Sequence, residues 1–332
     1  MRIPNSPPVI KPITNVIDRP KWSVMIPVFN CAKYLPELLQ SVLSQDLGKD
    51  QMQIEVVDDY STDSDVKKLV EEIGNGRIDY YKQPENVGSL RNFETCINHA
   101  KGEYVHLLHG DDKLLPEFYV EMGQLFDKYP QVGAGYCKHQ YIDSEGRPKY
   151  DIRSENTGPY ILENWLEVLA EKNRIQYVSM VVKRSVYEHL GAFYGVVYGE
   201  DWEMWSRVAK HYPVAYHPKI LAEYRQHDDS ISGTFYRSGK NIKDISKVID
   251  TINTYLPVEK QKYLKHIARK NYAYFAFARK SELWKKNHEY HLGLRYSAAI
   301  LKMHTDPLLL AKVTWLTFKI YFYHLKSIVQ FK

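Results

Sequence analysis

The sequence predicts an α/β protein in which a mostly parallel sheet is flanked by helices and followed by a helical C-terminal extension. Two observations carry that class. Four short apolar runs in the first 110 residues alternate with stretches of helical apolar spacing, the pattern of parallel strands joined by right-handed crossovers. From Lys240 to Lys332 there are 18 Lys and Arg against 6 Asp and Glu, a net of +12, although the whole chain carries only +5. An acidic body with a basic, aromatic tail is therefore expected. At 332 residues the chain is too long for one small domain, and with 44% hydrophobic content it is too apolar to be disordered. The expected division is an extended arm over 1–20, an α/β domain over 21–237 and a helical basic region over 238–332.

In the arm, Pro4, Pro7, Pro8, Pro12 and Pro20 fix φ and remove donors. The arm has no apolar run of the kind a signal peptide needs. Three cysteines, Cys31, Cys96 and Cys137, make a disulfide scaffold a poor fit. Together these features favour a cytoplasmic location. Trp22–Val28 reads as a buried first strand, and Asn30 as the cap of a helix carrying Leu35, Leu38, Leu39, Val42 and Leu43. Ile54–Val57 reads as a second strand ending in Asp58-Asp59. A polar segment then caps a helix bearing Val66, Leu69, Val70 and Ile73. Ile78–Tyr81 is a third strand, Asn86-Val87-Gly88 a turn, and Phe93–His99 part of a helix. Tyr104–Leu108 is a fourth strand, ending in Gly110-Asp111-Asp112. Beyond Pro130 the pattern predicts strands at Val132–His139 and Tyr177–Val182, helices at Tyr160–Ala170 and Asp201–His211, extended chain at Ile220–Tyr224, and helices from Lys240 onward.

Two strands thus deliver paired carboxylates to the edge where open α/β sheets bind ligands. Taken singly, each pair also suits helix capping. Converging in one crevice, they repel one another and call for a hard divalent cation, Mg2+ or Mn2+, with phosphate oxygens completing its shell. The turn after the first strand reads Pro27-Val28-Phe29-Asn30 and lacks the glycine fingerprint of dinucleotide sites, and no P-loop occurs. The histidine pairs His106/His109 and His288/His291 lack the partners a tetrahedral zinc site needs.

The ordered segments SVMIPVFNCAKYLPELLQSVLSQ, IEVVDDYSTD, PENVGSLRN, LLHGDDKLLP, GEDWEMWSRVA and EYRQHDDSIS, spread over Trp22–Ser232, resemble the family 2 glycosyltransferases of the GT-A fold. The resemblance implies an inverting transfer of a sugar from a nucleoside-diphosphate donor to an acceptor hydroxyl. It implies that Pro27, Phe29 and Asn30 line the nucleoside pocket, with Asp59 bonding the base and Asp58 beside it. It places Asn86, Gly88 and Arg91 near the base and diphosphate, and makes Asp111 and Asp112 metal ligands. Asp201 matches the catalytic base, flanked on the acceptor side by Glu200 and Trp202, whose other reading is helix-terminal charge and core packing. Arg225 and His227 match a late segment that closes over the diphosphate, Arg225 as a donor contact and His227 as a further metal ligand. The sequence departs from the commonest family pattern at His109, where many members have aspartate, and this weakens the expected metal requirement.

Partners implied are a nucleotide-sugar donor and a glycan or glycolipid acceptor, as in the assembly of bacterial-type surface polysaccharide or glycolipid. A metal-dependent sugar nucleotidyltransferase also uses acidic strand ends and stays open as an alternative, as does a protein that binds membrane or nucleic acid through its basic tail. No nucleic-acid module is recognisable. After Pro307, Lys312, Lys319 and Lys326 recur every seven residues and form one helical stripe beside a broad apolar face. Such a helix either packs on the body or lies in an anionic membrane interface, but its lysines disfavour a spanning segment.

Overall fold

Trp22–Val28 (β1) is buried at every position, as a strand covered on both faces of a parallel sheet must be. The computed structural model describes residues 2–14, 18–155, 157–287 and 290–330, without side chains for 282–294 and 323–330. β1 pairs in parallel with β2 (Met52–Asp58), which in turn pairs with β3 (Asp79–Lys82). On its other side β1 pairs in parallel with β4 (Tyr104–Leu107). The crossovers are α1 (Leu35–Leu43), α2 (Val66–Gly74) and α3 (Ser89–His99). Because Trp22 lies opposite both Met52 and Tyr104, the three strands run in step and their carboxyl ends share one edge.

The chain continues through β5 (Lys113–Leu114), α4 (Phe118–Lys128), β6 (Ala134–Ile142), β7 (Pro148–Asp151), β8 (Tyr160–Ile161), α5 (Trp165–Glu171), β9 (Met180–Lys183), α6 (Arg184–Leu190), α7 (Glu200–His211) and β10 (Val214–Arg225). Among the described residues the strands form one sheet of order β3-β2-β1-β4-β9-β6-β10-β5, with β7 and β8 at its margin. β9 runs antiparallel to both β4 and β6, and β6 is parallel to β10. The expected mostly parallel sheet is therefore present, and β9 makes it mixed. Its core centres on Trp22, whose ring centroid lies 5.2 Å from those of Tyr104 and Tyr119.

Four local expectations change. Asn30 is not a helix cap: its φ of 49° puts it in the left-handed region, and its Oδ1 accepts from the Thr62 amide at 2.8 Å. The helix expected over Tyr160–Ala170 is shortened, because Tyr160-Ile161 pairs with β10 and Asn164 turns the chain at φ 48°. The run Tyr177–Val182 splits into a 3₁₀ turn over Tyr177–Ser179 and β9. The helices α4 and α6 are additional to the elements that apolar spacing predicts.

The chain divides into two units, Met1–Trp165 with Ile175–Gln226 and Leu166–Arg174 with His227–Lys332. The proline-rich arm belongs to the first, and the second joins Leu166–Arg174 to the chain from His227 onward. Within the second unit lie α8 (Ile231–Ser238), α9 (Asn241–Asn253), α10 (Val258–Asn287), α11 (Tyr290–Met303) and α12 (Pro307–Gln330). His288 lies outside the described residues. A polar knot ties three segments of this unit. Asn241 is fully buried, donates to Tyr272 Oη at 2.8 Å and accepts from Tyr296 Oη at 2.9 Å, so burial leaves these groups satisfied.

α12 has a buried and an exposed face. Leu309, Val313, Leu316 and Ile320 are buried, while Trp315, Phe318, Tyr321 and Phe322 are exposed. Lys312 and Lys319 are described, and Lys326 lies outside the residues whose side chains are described. Among the described residues no helix is long and apolar enough to cross a membrane.

Candidate active site

The carboxyl edge of β1, β2 and β4 gathers the acidic pairs. At the end of β2, Asp58 Oδ1 accepts from the Ser61 amide and Oδ2 from Tyr80 Oη, both at 2.8 Å. The Asp59 amide donates to Val28 O at 2.8 Å, fixing this loop to β1. Asp59 Oδ1 accepts from the Val87 amide at 2.7 Å. Its Oδ2 accepts from the Gly88 amide at 2.9 Å and from Asn86 Nδ2 at 3.0 Å. Gly88 has a φ of 90°, which favours glycine, and it caps α3. Burial pushes the Asp59 carboxyl above its ordinary range, against these amide bonds. A carboxylate offers about four lone-pair sites. The three contacts leave Asp59 capacity for one N–H of a ligand.

Beyond β4 the chain turns through Gly110, where an added Cβ would stand 2.7 Å from Cys31 Sγ and 3.0 Å from Val28 Cγ2. Only glycine lets this loop pass so close to β1. It presents His109, Asp111 and Asp112, whose ligand atoms all lie within 4.8 Å of one another. Asp112 is 1% exposed. Its Oδ1 accepts from the Arg225 amide at 2.9 Å, and its Oδ2 is buried with no hydrogen-bond partner. Burial, then the neighbouring Asp111 charge, pushes the Asp112 carboxyl well above its usual range. His109 Nε2 is likewise buried and unpartnered, and burial lowers its pKa to about 4, so the imidazole is neutral. A neutral imidazole beside two carboxylates, with two orphaned acceptor or ligand atoms, fits a divalent cation. These three residues are the ones that would hold it, and His109 completes the group that the sequence pattern suggested it would weaken.

Arg225, buried at 2% exposure, braces this loop. Its Nε donates to Asp111 O at 2.8 Å, Nη1 to Asp143 O at 3.2 Å and Nη2 to Glu37 Oε2 at 2.5 Å, and its guanidinium lies 4.9 Å over the Tyr34 ring. The ring of His109 lies 5.1 Å from Phe93 and 4.2 Å from Tyr177. Tyr177 Oη donates to Glu200 Oε1 at 3.2 Å. The acidic loop is thus joined through Tyr177 to the first turn of α7, which carries Asp201. Asp201 is 9% exposed, and its Oδ1 accepts from the Trp202 amide at 2.7 Å.

α7 is anchored from below. Arg207 donates to both oxygens of Glu203, at 2.9 and 3.0 Å, and to Ala192 O at 3.0 Å. Replacing Arg207 by Met removes two charged hydrogen bonds from the buried Glu203 carboxylate. The expected cost is about 3–5 kcal/mol, read as a lower urea midpoint with an unchanged denaturant slope.

With this geometry in place, the family model described as Glycosyl transferase family 2 matches residues 23–191, just over half of the chain. The chain belongs to glycosyl transferase family 2. It is similar to the uncharacterized glycosyltransferase MG025 homolog of Mycoplasma pneumoniae, 34% identical over 129 residues, which cover 38% of this chain and 42% of that protein. It is also similar to the uncharacterized glycosyltransferase RT0329 of Rickettsia typhi, 25% identical over 218 residues, 65% of this chain and 67% of that protein. The chain therefore spans less than half of the Mycoplasma relative and about two thirds of the Rickettsia one. Among solved structures it is similar to S. aureus TarS 1-349 in complex with UDP-GlcNAc, with a TM-score of 0.63 and 17% identity over 94% of this chain and 92% of that one. It is also similar to the mannosyltransferase PcManGT from Pyrobaculum calidifontis in complex with GDP-Man and Mn2+, with a TM-score of 0.57 and 19% identity over 96% and 90% of the two chains. The fold of this family member is GT-A.

The structure groups Asp58, Asp59, Asn86 and Gly88 in one cluster and Asp111 and Asp112 in another. Pro27 is buried in β1, and its carbonyl accepts from the Gly110 amide at 3.3 Å. Phe29 is 49% exposed. Arg91 pairs with Glu94 at 2.5 Å. Trp202 is only 2% exposed, its side chain packed within the protein. His227 belongs to the second unit, whereas the ligand atoms that group together among the described residues belong to His109, Asp111 and Asp112. Sequence reasoning missed Tyr177, Glu37 and the ligand capacity of His109. Tyr177 sits inside an apolar run, and no pattern signals that its hydroxyl meets Glu200.

Proposed function

We propose that this family member is an inverting glycosyltransferase that moves a sugar from a nucleoside-diphosphate donor to an acceptor hydroxyl with the help of Mg2+ or Mn2+. The observation that carries the proposal is the His109–Asp111–Asp112 group, with its orphaned ligand atoms, coupled through Tyr177 to the Glu200–Asp201 turn of α7. In this assignment Asp59, supported by Asn86 and Gly88, receives the base, with Asp58, Pro27, Phe29, Asn30 and Arg91 around it. Asp201 takes the proton of the acceptor hydroxyl as the bond to the anomeric carbon forms from the back side, so one base suffices and the configuration inverts. Glu200 holds Tyr177 and faces the acceptor side. Arg225 acts by positioning the acidic loop, since its donors are committed to Asp111, Asp143 and Glu37. His227 is kept as a candidate ligand from the late segment. A divalent cation held by His109, Asp111 and Asp112 would supply Lewis acidity against the charge of the departing diphosphate.

The structural neighbours are complexes with UDP-GlcNAc and with GDP-Man, which selects the first donors to try. The test is a panel of UDP- and GDP-sugars with and without Mn2+, read by thermal shift and by product. Stabilisation and release of a nucleoside diphosphate are expected. Release of pyrophosphate from a nucleoside triphosphate and a sugar 1-phosphate, offered in a parallel assay, would instead make the protein a nucleotidyltransferase.

The acceptor we propose is a glycan or glycolipid of surface-polysaccharide or glycolipid assembly, handled on the cytoplasmic side of a membrane. Support comes from the outer face of α12, where Trp315 and Phe318 are 63% and 68% exposed beside Lys312 and Lys319. An aromatic, basic helix face of this kind suits an anionic headgroup layer. The chain is expected to co-sediment with phosphatidylglycerol vesicles but not with phosphatidylcholine vesicles. The exposed double variant Trp315→Ser/Phe318→Ser is expected to stay in the supernatant with its melting temperature unchanged. Equal sedimentation of variant and wild type would remove the membrane role.

A further inference from the structure

The proline-rich arm is strapped onto the first unit by its carbonyls. Proline removes donors and leaves acceptors, and the acceptors are what the body uses. The Gly195 amide donates to Pro4 O at 2.9 Å, and the Ala192 amide to Pro8 O at 3.0 Å. Arg184 Nη2 donates to Lys11 O at 3.0 Å, and the Lys11 and Ile13 amides donate to Asn98 Oδ1 and Glu188 Oε1 at 3.4 and 3.3 Å. Ile10 is fully buried. Gly191, at φ 76°, lies so close that an added Cβ would stand 2.6 Å from Pro8 O. This is a docked segment with a set path, and it ends at the base-reading cluster.

At that end Arg2 donates from Nη2 to Asn86 Oδ1, the same Asn86 whose Nδ2 bonds Asp59. Arg2 Nε lies 3.1 Å from where a Cβ on Gly88 would stand, so glycine at 88 also makes room for the guanidinium. The Arg2 charge acts on the Asp59 carboxylate. Arg2 is exposed toward solvent, and a planar guanidinium has five N–H donors in a fixed fork, of which Asn86 takes one.

We infer that the strap is a working part of the donor site and that Arg2 binds the nucleoside diphosphate, placed for it by residues 4–13. This rests on the functional assignment above and adds a residue that lies outside the segment matched by the family model. The cluster around Asp59 offers a negative charge with one acceptor site open. Arg2 sets beside it the donors that nucleobase carbonyls and phosphate oxygens need, and charge-assisted bonds of this kind are the strong ones.

The test is calorimetric titration of the full chain with UDP and with GDP in the presence of Mn2+. Arg2→Ala is expected to weaken the preferred diphosphate about tenfold or more, the usual scale for one lost bond to a charged group. Arg2→Lys, which keeps charge without the fork, is expected to fall between the two. The melting temperature of the ligand-free variants is expected to stay at the wild-type value, because the side chain is exposed. Wild-type affinity in Arg2→Ala would overturn the role of Arg2 while leaving the functional assignment intact. Tighter binding in Arg2→Ala would overturn it too, by showing that Arg2 competes with the ligand. A wild-type chain that binds neither diphosphate would overturn the assignment and this inference together.

Discussion

Asp201→Asn is expected to lower turnover by about 10²–10⁴-fold, the usual contribution of a positioned general base, equivalent to about 3–5 kcal/mol of transition-state stabilisation. The affinity for a nucleoside diphosphate is expected to stay unchanged. The separation follows from the structure. The residues proposed to receive the donor, Asp59, Asn86 and Gly88, bond one another, whereas Asp201 sits in the first turn of α7 and accepts locally from the Trp202 amide. Asparagine keeps an oxygen for that amide and the shape of the side chain but cannot take a proton. Single-turnover transfer together with titration of the diphosphate gives both quantities. Near-normal transfer by Asp201→Asn would sink the proposed base, and a parallel loss of diphosphate binding would move Asp201 to the donor side.

The second large effect has two opposite parts. Asp112→Asn is expected to abolish the Mn2+-dependent gain in diphosphate binding, while the metal-free variant melts higher than the wild type. Asp112 Oδ2 is buried without a partner, and burial with the Asp111 charge pushes its carboxyl upward. A carboxyl whose pKa is higher folded than unfolded binds more protons in the native state, so its contribution to stability falls as pH rises above the unfolded value of about 4. At neutral pH the wild type bears that cost and the asparagine variant does not. The substituted side chain can still accept from the Arg225 amide through its Oδ1. A gain of about 1 kcal/mol is expected, or about 2–4 °C, shrinking as the pH is lowered toward 4. Melting curves at pH 4.5 and 7.5 without metal check the sign. A variant that melts lower at pH 7.5 would mean that the Asp112 charge is compensated in the apo protein.

Much of the fold was legible because parallel strands covered on both faces must be continuous apolar runs. Trp22–Val28 and the run around Ile54–Val57 could be little else. The carboxylates at their ends were legible for the same reason, since an abrupt Asp pair after an apolar run marks the sheet edge. Local reasoning failed where a residue's partner lies far along the chain. Asn30 carried every mark of a cap, yet its oxygen is taken by the Thr62 amide from the neighbouring loop. The lysine spacing of the tail marked one helical stripe, and only the folded chain shows which α12 residues are buried and which are exposed.

By itself the sequence determined the strand and helix alternation, the acidic strand ends and their family, because apolar spacing and ordered motifs are properties of the chain read along its length. Tertiary structure alone decided that His109 joins Asp111 and Asp112, that Tyr177 links that group to Glu200, and that the arm delivers Arg2 to Asn86. The last two are contacts between residues 23 and 84 positions apart. They depend on which strand lies beside which and on buried atoms whose partners are fixed only when the sheet closes, and no periodicity in the sequence records them.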